Sequence, residues 1–216
     1  KIQDIQKEAF SLGISYTAIP VFRKPIVLFG TIITLLKGIF FLKKYINNNA
    51  IDIVMPRSTL PAIMVNALRL KNIPIIFDAD GLPLEERVDF ANLSKKSMQY
   101  KWLLKQELTM LIKANKVITR SNDSIEHHIR NIGDNYREKF SVVFNGRDAN
   151  VFKPNDIHRE KIRNELGIHK KETVFIYCGS LGEKYDLDEM LVIFKGFLKT
   201  NEKSKFLIIT RHLELA

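Results

Sequence analysis

Cysteine is nearly absent from the 216-residue chain. Cys178 is the only thiol, so no disulfide can form within the chain, and the count fits a reducing compartment. Because Cys178 stands in an apolar stretch, we expect its side chain to be buried and unreactive. Internal repeats and low-complexity segments are also absent. The longest apolar stretch, residues 26–42, is interrupted by lysine and glycine and is shorter than the roughly 20 residues that a membrane span needs.

Motifs for several kinds of chemistry are missing too. His127 and His128 are adjacent, whereas two metal ligands on one helix face need a spacing of three or four residues. The other three histidines are isolated, and no Ser-His-Asp or Cys-His order can be recognised. No G-x-G-x-x-G follows a predicted strand, which argues against a dinucleotide-binding domain. From the spacing of the histidines we predict no metal site.

Positive charge is in excess. Lysine and arginine number 34 against 24 aspartates and glutamates, which gives a formal net charge of +10. This balance favours anionic partners, namely nucleotide phosphates, acidic lipid headgroups or nucleic acid. The cations are spread along the chain without interleaved aromatic residues, so nucleic acid is the least favoured of the three.

Strands alternate with helices through the first two thirds of the chain. The pattern predicts helices at 1–12, 61–70, 94–114 and 122–132, strands at 51–55, 74–78, 116–119 and 140–144, and an edge strand at 14–21. This alternation predicts a parallel sheet with helices on both faces. The segment around Pro83 to Arg87 is interpreted as a loop. The most apolar segment, 26–46, predicts a helix that is either packed inside the domain or lies partly in a membrane interface.

After Asn145-Gly146 the chain changes character. A turn-like segment, 151–154, precedes a charged helix at 156–167, and a new strand-helix-strand unit follows with its helix at 186–200 and its second strand at 205–210. We predict three parts: an incomplete Rossmann-like domain at 1–146, a linker and charged helix at 147–172, and the start of a second domain at 173–216. We expect the chain to be an internal piece of a longer protein.

The stretch from Thr173 to Leu191 predicts a strand, a turn with two glycines and a helix. Residues 174–178 are a continuous apolar run, typical of a strand that is covered on both faces. Gly179 and Gly182 bracket a turn where backbone can approach a ligand closely. Lys184 adds a positive charge near a helix N-terminus, so the loop is suited to a phosphate, with Asp186 or Asp188 as the helix cap. The alternative is an ordinary strand-to-helix turn with a solvated lysine.

Polar residues follow the other predicted strands. Ligands of open parallel sheets bind outside the carboxyl ends of the strands, and those ends carry Arg57, Asp78, Asp80-Gly81, 119–121 and Asn145-Gly146. Asp78 and Asp80 are candidates for hydroxyl recognition or proton transfer. The alternative is that Asp78 caps local backbone and Asp80 begins a turn with Gly81. The charges at 85–87 are interpreted either as part of the site or as a solvated ion-pair cluster.

Three segments resemble family 4 glycosyltransferases. Residues 145–154, N-G-R-D-A-N-V-F-K-P, resemble the N-G-(V/I)-D-x-x-x-F-x-P segment that links the two domains of that family. Residues 177–191 resemble the first strand, loop and helix of its donor-binding domain. Residues 77–89, with 106–108 and 117–119, resemble the acceptor side of one bacterial subgroup. Ser180 and Asp80 depart from the family pattern, since both positions commonly hold arginine there.

The resemblance implies an α/β, GT-B-like architecture and retaining transfer of a sugar from a nucleoside diphosphate to a hydroxyl acceptor. It implies no metal or other cofactor. The implied donor-binding residues are Gly179, Ser180, Gly182, Lys184, Asn145 and Gly146. The implied catalytic residues are Asp78 and Asp80, and the implied acceptor-side residues are Arg57, Gly81 and Arg87.

The resemblance also implies partners and a location. We expect a nucleotide-sugar donor and a saccharide or lipid-linked acceptor, in bacterial surface polysaccharide or glycolipid synthesis. We expect a cytoplasmic protein, with contact to the anionic inner face of the plasma membrane through segment 26–46. Because the Glu-(seven residues)-Glu motif of the family is not within the chain, we expect these 216 residues alone to be inactive. The alternatives are an epimerase acting on UDP-sugars and a non-catalytic interaction domain.

Overall fold

The computed structural model describes residues 2–22, 27–182 and 185–212. The chain divides into two compact units, Lys1–Asn145 and Gly146–Ala216. The finer predicted division, with a separate linker at 147–172, stays a prediction.

The first unit contains six of the described α-helices and a three-stranded sheet. The helices are α1 (Ile2–Ser11), α2 (Val27–Asn48), α3 (Thr59–Leu68), α4 (Pro83–Phe90), α5 (Met98–Lys113) and α6 (Asn122–Ile132). The strands are β1 (Ile76–Asp78), β2 (Lys116–Thr119) and β3 (Phe140–Val142), and a 3-10 helix, Asp134–Lys139, precedes β3. None of the described helices is long and apolar enough to cross a membrane.

The sheet is parallel, in the order β1-β2-β3. The predicted strand at 51–55 is reduced to two isolated parallel bridges, Val54 to Ile75 and Arg57 to Asp78. Pro56 stands between the two bridges and has no amide to donate, so a continuous ladder cannot form there. The bridges still align Arg57 with the carboxyl end of β1.

Two further sequence predictions are wrong. Residues 14–22 contain no strand, and no described strand pairs with them; a strand exists only through hydrogen bonds to a neighbour. The predicted loop at 83–87 is helical. Pro83 occupies the first turn of α4, where its fixed φ favours a helix start, and Leu84 anchors the helix because its side chain is buried.

Two clusters of apolar side chains form the core of the first unit. The larger lies about the sheet and includes Val65, Ile75, Phe77, Met110, Leu111, Val117, Ile129 and Phe140. The smaller joins the helices and comprises Leu35, Ile63, Leu84, Tyr100 and Leu103. Gly38 permits close packing of α2 on α3, since a Cβ there would lie 2.6 Å from the sulfur of Met64. The core therefore fixes both the sheet edge and the helices that follow it.

The second unit contains α7 (Asp156–Glu165), β4 (Val174–Cys178), α8 (Leu187–Leu198) and β5 (Lys205–Ile209), with β4 and β5 parallel. Phe175 of β4 packs on α8, its ring 4.8 Å from that of Phe197. The opposite face is separated from α7 by a pocket of about 700 Å³ and is not closely covered, so the predictions of a strand covered on both faces and of a buried Cys178 are wrong: Ile176 and Cys178 are exposed. Side chains alternate along a strand, and α8 covers one face only.

Candidate functional site

Four charged side chains meet at the carboxyl ends of β1 and β2. Arg57 donates from Nη2 to Asp80 Oδ1 at 2.8 Å and from Nε to Asp80 Oδ2 at 3.2 Å. Arg120, the residue after β2, donates from Nη2 to both oxygens of Asp78, at 3.1 and 3.0 Å. The structure therefore brings Arg57, Asp78 and Asp80 together, as predicted for a common sheet edge, and adds Arg120 to them.

Arg120 also connects the aspartates to each other and to the third strand. Its Nε donates to Asp80 Oδ1 at 3.3 Å, and its Nη1 donates to the carbonyl of Val143, just beyond β3, at 2.9 Å. The guanidinium of Arg120, itself the residue after β2, therefore contacts residues at the ends of β1 and β3. Planar guanidinium groups suit this task because their five N–H donors are held in a fixed geometry.

The backbone around Asp80 is held in an uncommon conformation. Asp80 has a φ of 52° and Gly81 a φ of 91°, and the left-handed region is disfavoured for residues with a Cβ. The amide of Asp80 donates to Asp78 Oδ1 at 3.1 Å. Asp78 thus caps local backbone and Asp80 begins a turn with Gly81, as one sequence interpretation had it, while both carboxylates also bind arginine.

The electrostatics of this group favour binding and positioning over proton transfer. The hydrogen bond from Arg57 lowers the pKa of Asp80, with the charge of Arg120 acting in the same direction and burial opposing it. A carboxylate with a lowered pKa is a weaker base. Asp78 is buried, whereas Arg57 is largely exposed, so the solvent side of the group presents Arg57 and Asp80. Their predicted roles stay predictions.

A second polar cluster lies on α4, α5 and the turn between them. Lys95 Nζ is 2.6 Å from Glu85 Oε2, and the Tyr100 hydroxyl donates to Glu85 Oε1 at 2.9 Å. Burial opposes ionisation of Glu85, but the hydrogen bonds from Lys95 and Tyr100 prevail and lower its pKa. Glu85 is therefore fixed in place and is more than a solvated ion-pair partner. Arg87, predicted on the acceptor side, lies in the last turn of α4.

A buried acid lies beneath the start of α3. Glu107 of α5 accepts a hydrogen bond from Thr59 Oγ1 at 3.2 Å, and burial raises its pKa to about 7. Its Oε1 is 4.0 Å from Nδ1 of His128, a nearly inaccessible side chain whose pKa burial lowers to about 4. These side chains connect α3, α5 and α6 by polar contacts beneath the surface.

The predicted phosphate loop of the second unit is held by two side chains. The Tyr177 hydroxyl donates to the carbonyl of Ser180 at 2.5 Å. Nδ1 of His212 lies 3.1 Å from both the amide and the carbonyl of Leu181, whose side chain is buried. The loop is thereby fixed between β4 and the end of the segment that follows β5.

The structure explains why positions 179 and 182 of this loop both hold glycine. A Cβ at Gly179 would lie 2.9 Å from Oη of Tyr177, and Gly182 has a φ of 135°. The helix that follows begins with Asp186 as its cap, accepting from the amide of Glu189 at 2.9 Å. Lys184, the predicted charge of the loop, lies outside the described residues.

The remaining predicted donor residues lie at the boundary of the two units. Asn145 is the last residue of the first unit and Gly146 the first of the second, and both are exposed. The carbonyl of Gly146 accepts from Arg147 Nη1 at 2.8 Å. Among the residues that the structure describes, no group of three or more metal-ligating side chains is present.

Sequence reasoning named the residues at 119–121 as a strand end but did not single out Arg120. The signal that could have found Arg120 is its position directly after β2, beside the strand end that carries Asp78 and Asp80. Glu107 entered only as part of a resembling segment, because a lone acid in a helix has no motif that marks it as buried. His128 could be recognised only as the neighbour of His127.

Comparison with known proteins supports the fold. Neither a family model nor a curated protein matches the sequence. A solved structure, Anabaena Alr3699/HepE in complex with UDP, matches with a TM-score of 0.51 at 19% identity, over 82% of this chain and 52% of that one. The chain thus spans about half the length of this neighbour. The match confirms the predicted α/β, GT-B-like fold class.

Proposed function

We propose that the chain belongs to a glycosyltransferase that takes its sugar from a nucleoside diphosphate, and that residues 179–182 and the start of α8 bind the diphosphate. The observation that carries the proposal is the loop itself, which combines Gly182 at a φ of 135°, Gly179 where a Cβ would meet the hydroxyl of Tyr177, and a capped helix N-terminus. The GT-B-like fold supports it, and the neighbour of that fold was solved with UDP.

The loop has the means to bind phosphate. The amides of the first turn of a helix carry partial positive charge and lack partners within the helix. The contacts of Tyr177 and His212 hold the backbone of Ser180 and Leu181 in place before a ligand arrives, which reduces the entropy lost on binding. Lys184 would add a full charge, as the sequence predicts.

The acceptor would bind at the carboxyl edge of the first sheet. Asp80 is ionised and partly exposed there, so it can accept a hydrogen bond from a sugar hydroxyl while Arg57 and Arg120 hold it. In this scheme Asp78, Asp80 and Gly81 position the acceptor, and Arg87 lies on the helix that follows. The acceptor would be a saccharide or a lipid-linked saccharide.

The chemistry proposed is the retaining transfer of family 4 enzymes, of the hexosyl type. The leaving diphosphate gains charge as the glycosidic bond breaks, and Lys184 with the helix amides would stabilise it without a metal or other cofactor. We place the reaction in the cytoplasm, in bacterial surface polysaccharide or glycolipid synthesis. Since the chain spans half of its neighbour, nucleotide binding is the property to test on these residues.

The test is the melting temperature of the chain with UDP, GDP and their sugar conjugates. A ligand at ~100 times its dissociation constant stabilises the folded state by about 2.7 kcal/mol, which a melting curve resolves easily. We expect one nucleotide family to raise the melting temperature and thereby to identify the base.

Two lysine substitutions test the location of the site. Lys184→Ala is expected to abolish most of the shift, whereas Lys199→Ala, at the other end of α8, should leave it unchanged. A shift that survives Lys184→Ala would place the nucleotide elsewhere. No shift with any nucleotide would favour the non-catalytic interaction domain.

A further inference from the structure

The residue between Arg57 and the first turn of α3 has a strained backbone. Ser58 has a φ of 67° and a ψ of 177°, a region that only glycine enters readily. Among the described residues, the Ser58 side chain makes no hydrogen bond that caps α3, so a helix cap does not offset the strain. A conformation of this kind persists only where the surrounding structure holds it in place.

Backbone hydrogen bonds hold Ser58 from the side of the sheet. The amide of Ser58 donates to the carbonyl of Asp78 at 2.9 Å, and the amide of Asp78 donates to the carbonyl of Pro56 at 3.0 Å. These two bonds attach the segment before α3 to the end of β1. They do not reach Thr59, the residue that begins α3.

Glu107 holds the other side of Ser58 from within the protein. Thr59 and Glu107 are only 3% and 5% exposed, and Thr59 Oγ1 donates to Glu107 Oε2 at 3.2 Å. Glu107 lies on α5, where Met110 and Leu111, one turn further on, are fully buried. Either protonation state of a carboxyl group keeps an oxygen that can accept this bond. The Thr59–Glu107 hydrogen bond therefore connects a well-packed helix to the residue after Ser58.

Arg57 is the side chain that this backbone directs. It is 59% exposed, and its two hydrogen bonds to Asp80 form at the surface of the protein. An exposed ion pair gains little free energy, because ordering a long side chain costs entropy. The direction of the backbone at residues 57–59 therefore decides whether the guanidinium meets Asp80.

We propose that Glu107 is a positioning residue, which through Thr59 holds Ser58 in its strained conformation and thereby directs Arg57 onto Asp80. Because Glu107 is buried, it acts through Thr59 and not by contact with a ligand. The inference deepens the acceptor site described above, and it rests on the proposed function only for the identity of the ligand.

The order of the Arg57 guanidinium tests the proposal. Arginine Nε–H groups give resonances in heteronuclear NMR spectra, and their order parameters can be measured on the 216-residue chain without nucleotide or acceptor. Arg57 and Arg120 both donate from Nε to Asp80, so we expect both groups to be rigid in the wild type. Glu107→Leu keeps a buried side chain of similar size but removes the acceptor. It should lower the order parameter of Arg57 from about 0.8 to below about 0.6, while that of Arg120 stays high.

Further variants separate positioning from packing. Glu107→Gln keeps an oxygen that can accept from Thr59 and should leave Arg57 ordered. Thr59→Val removes the donor and should loosen Arg57 as Glu107→Leu does, which keeps the proposal testable if one of the two variants fails to fold. Asn66→Leu is the matched control, since Asn66 Nδ2 donates to the carbonyl of Gln106 at 2.9 Å. It removes another polar contact between α3 and α5 without touching Thr59, and Arg57 should stay ordered.

Three results would overturn the proposal. An unchanged order parameter of Arg57 in Glu107→Leu and Thr59→Val would show that the backbone bonds to β1 are sufficient. Equal loosening of Arg57 and Arg120 would make Glu107 an ordinary core residue, and so would loosening of Arg57 in Asn66→Leu. Circular dichroism confirms that each variant is folded. The measurement involves no nucleotide, so failure of this inference and failure of the proposed function can be told apart.

Discussion

At the scale of single residues, Asp78 and Asp80 are held by arginines that lie far away in sequence. Arg57 precedes Asp80 by 23 residues and Arg120 follows Asp78 by 42. Asp78 is almost fully buried, and a buried carboxylate is tolerated only when its charge is paired and hydrogen-bonded. Arg120 is therefore needed to fold the site. Contact with a ligand is a secondary role for it.

Arg120→Met should destabilise the protein by about 2 to 4 kcal/mol, because it leaves Asp78 buried without its guanidinium. Urea unfolding measures the difference. Arg130→Met, at an exposed position in the last turn of α6, is the matched control and should change stability by less than about 0.5 kcal/mol. Equal stabilities of the two variants would show that solvent or another group compensates Asp78.

Glu107 gives the protein a defined pH dependence. Its pKa is raised from 4.5 to about 7 in the folded state, so the folded protein keeps a proton that the unfolded chain releases. Its contribution to the free energy of unfolding therefore falls as pH rises from about 4.5 to about 7. His128, whose pKa is lowered to about 4, contributes with the opposite sign between about pH 4 and 6.5.

Glu107→Gln isolates the first of these two effects. The amide oxygen of the substituted side chain can still accept from Thr59, and His128 is present in both proteins. As pH rises from about 4.5 to about 7, the free energy of unfolding of the variant should therefore gain about 3 kcal/mol on that of the wild type. Unfolding free energies measured across the range check this. Glu160→Gln, at an exposed position in α7, should show no such growth; a constant difference for Glu107→Gln would mean an ordinary pKa.

Sequence reasoning reached part of this residue-scale picture. Asp78, Asp80 and Arg57 could be placed at one sheet edge, because parallel strands end at a common edge. Their pairing could not be predicted, since the ion pairs depend on the register of β1 and β2 and on the left-handed backbone at Asp80. The burial of Glu107 depends on how α5 packs against α3, which one sequence does not reveal.

At the scale of secondary-structure elements, the turn between β4 and α8 is the clearest case of sequence dictating structure. Tyr177 lies close under Gly179, and its hydroxyl holds the carbonyl of Ser180. The apolar run and the glycines were legible in sequence, and the cap was narrowed to Asp186 or Asp188. The exposure of Cys178 was not legible, because it depends on which face of β4 is covered by a neighbour.

Gly179→Ala should weaken nucleotide binding and lower stability by about 1 to 3 kcal/mol, since its Cβ would displace the ring of Tyr177. Melting temperature with and without UDP measures both effects. The matched control is Gly196→Ala in α8, where no atom lies within 4 Å of a new Cβ; it should stabilise the helix by up to about 1 kcal/mol. A Gly179→Ala protein that binds UDP normally would contradict the role of this turn.

The two wrong predictions of secondary structure, at α4 and at 14–21, share a cause. The sequence of α4 suggests a loop because it combines Pro83 with the three charges at 85–87. Proline is nevertheless favoured in the first turn of a helix. The segment at 14–21 has the composition of a strand but no described strand beside it. Composition reports what a segment can form, whereas pairing and burial decide what it does form.

At the scale of the whole molecule, the alternation of strands and helices was sufficient to predict the α/β fold class, which the structural match confirms. Alternation is visible in sequence because each element needs its own apolar pattern and its own turn residues. The excess of positive charge was visible as well.

We propose that this chain recognises a nucleoside diphosphate through the loop at 179–182 and the start of α8. Calorimetric titration of UDP, GDP, uridine and guanosine into the 216-residue chain tests this. We predict that one diphosphate binds at least about a hundredfold more tightly than its own nucleoside, since two charge-assisted hydrogen bonds of roughly 1.5 kcal/mol each would engage the diphosphate. Equal affinities of each diphosphate and its nucleoside, or no binding of UDP or GDP, would contradict this proposal.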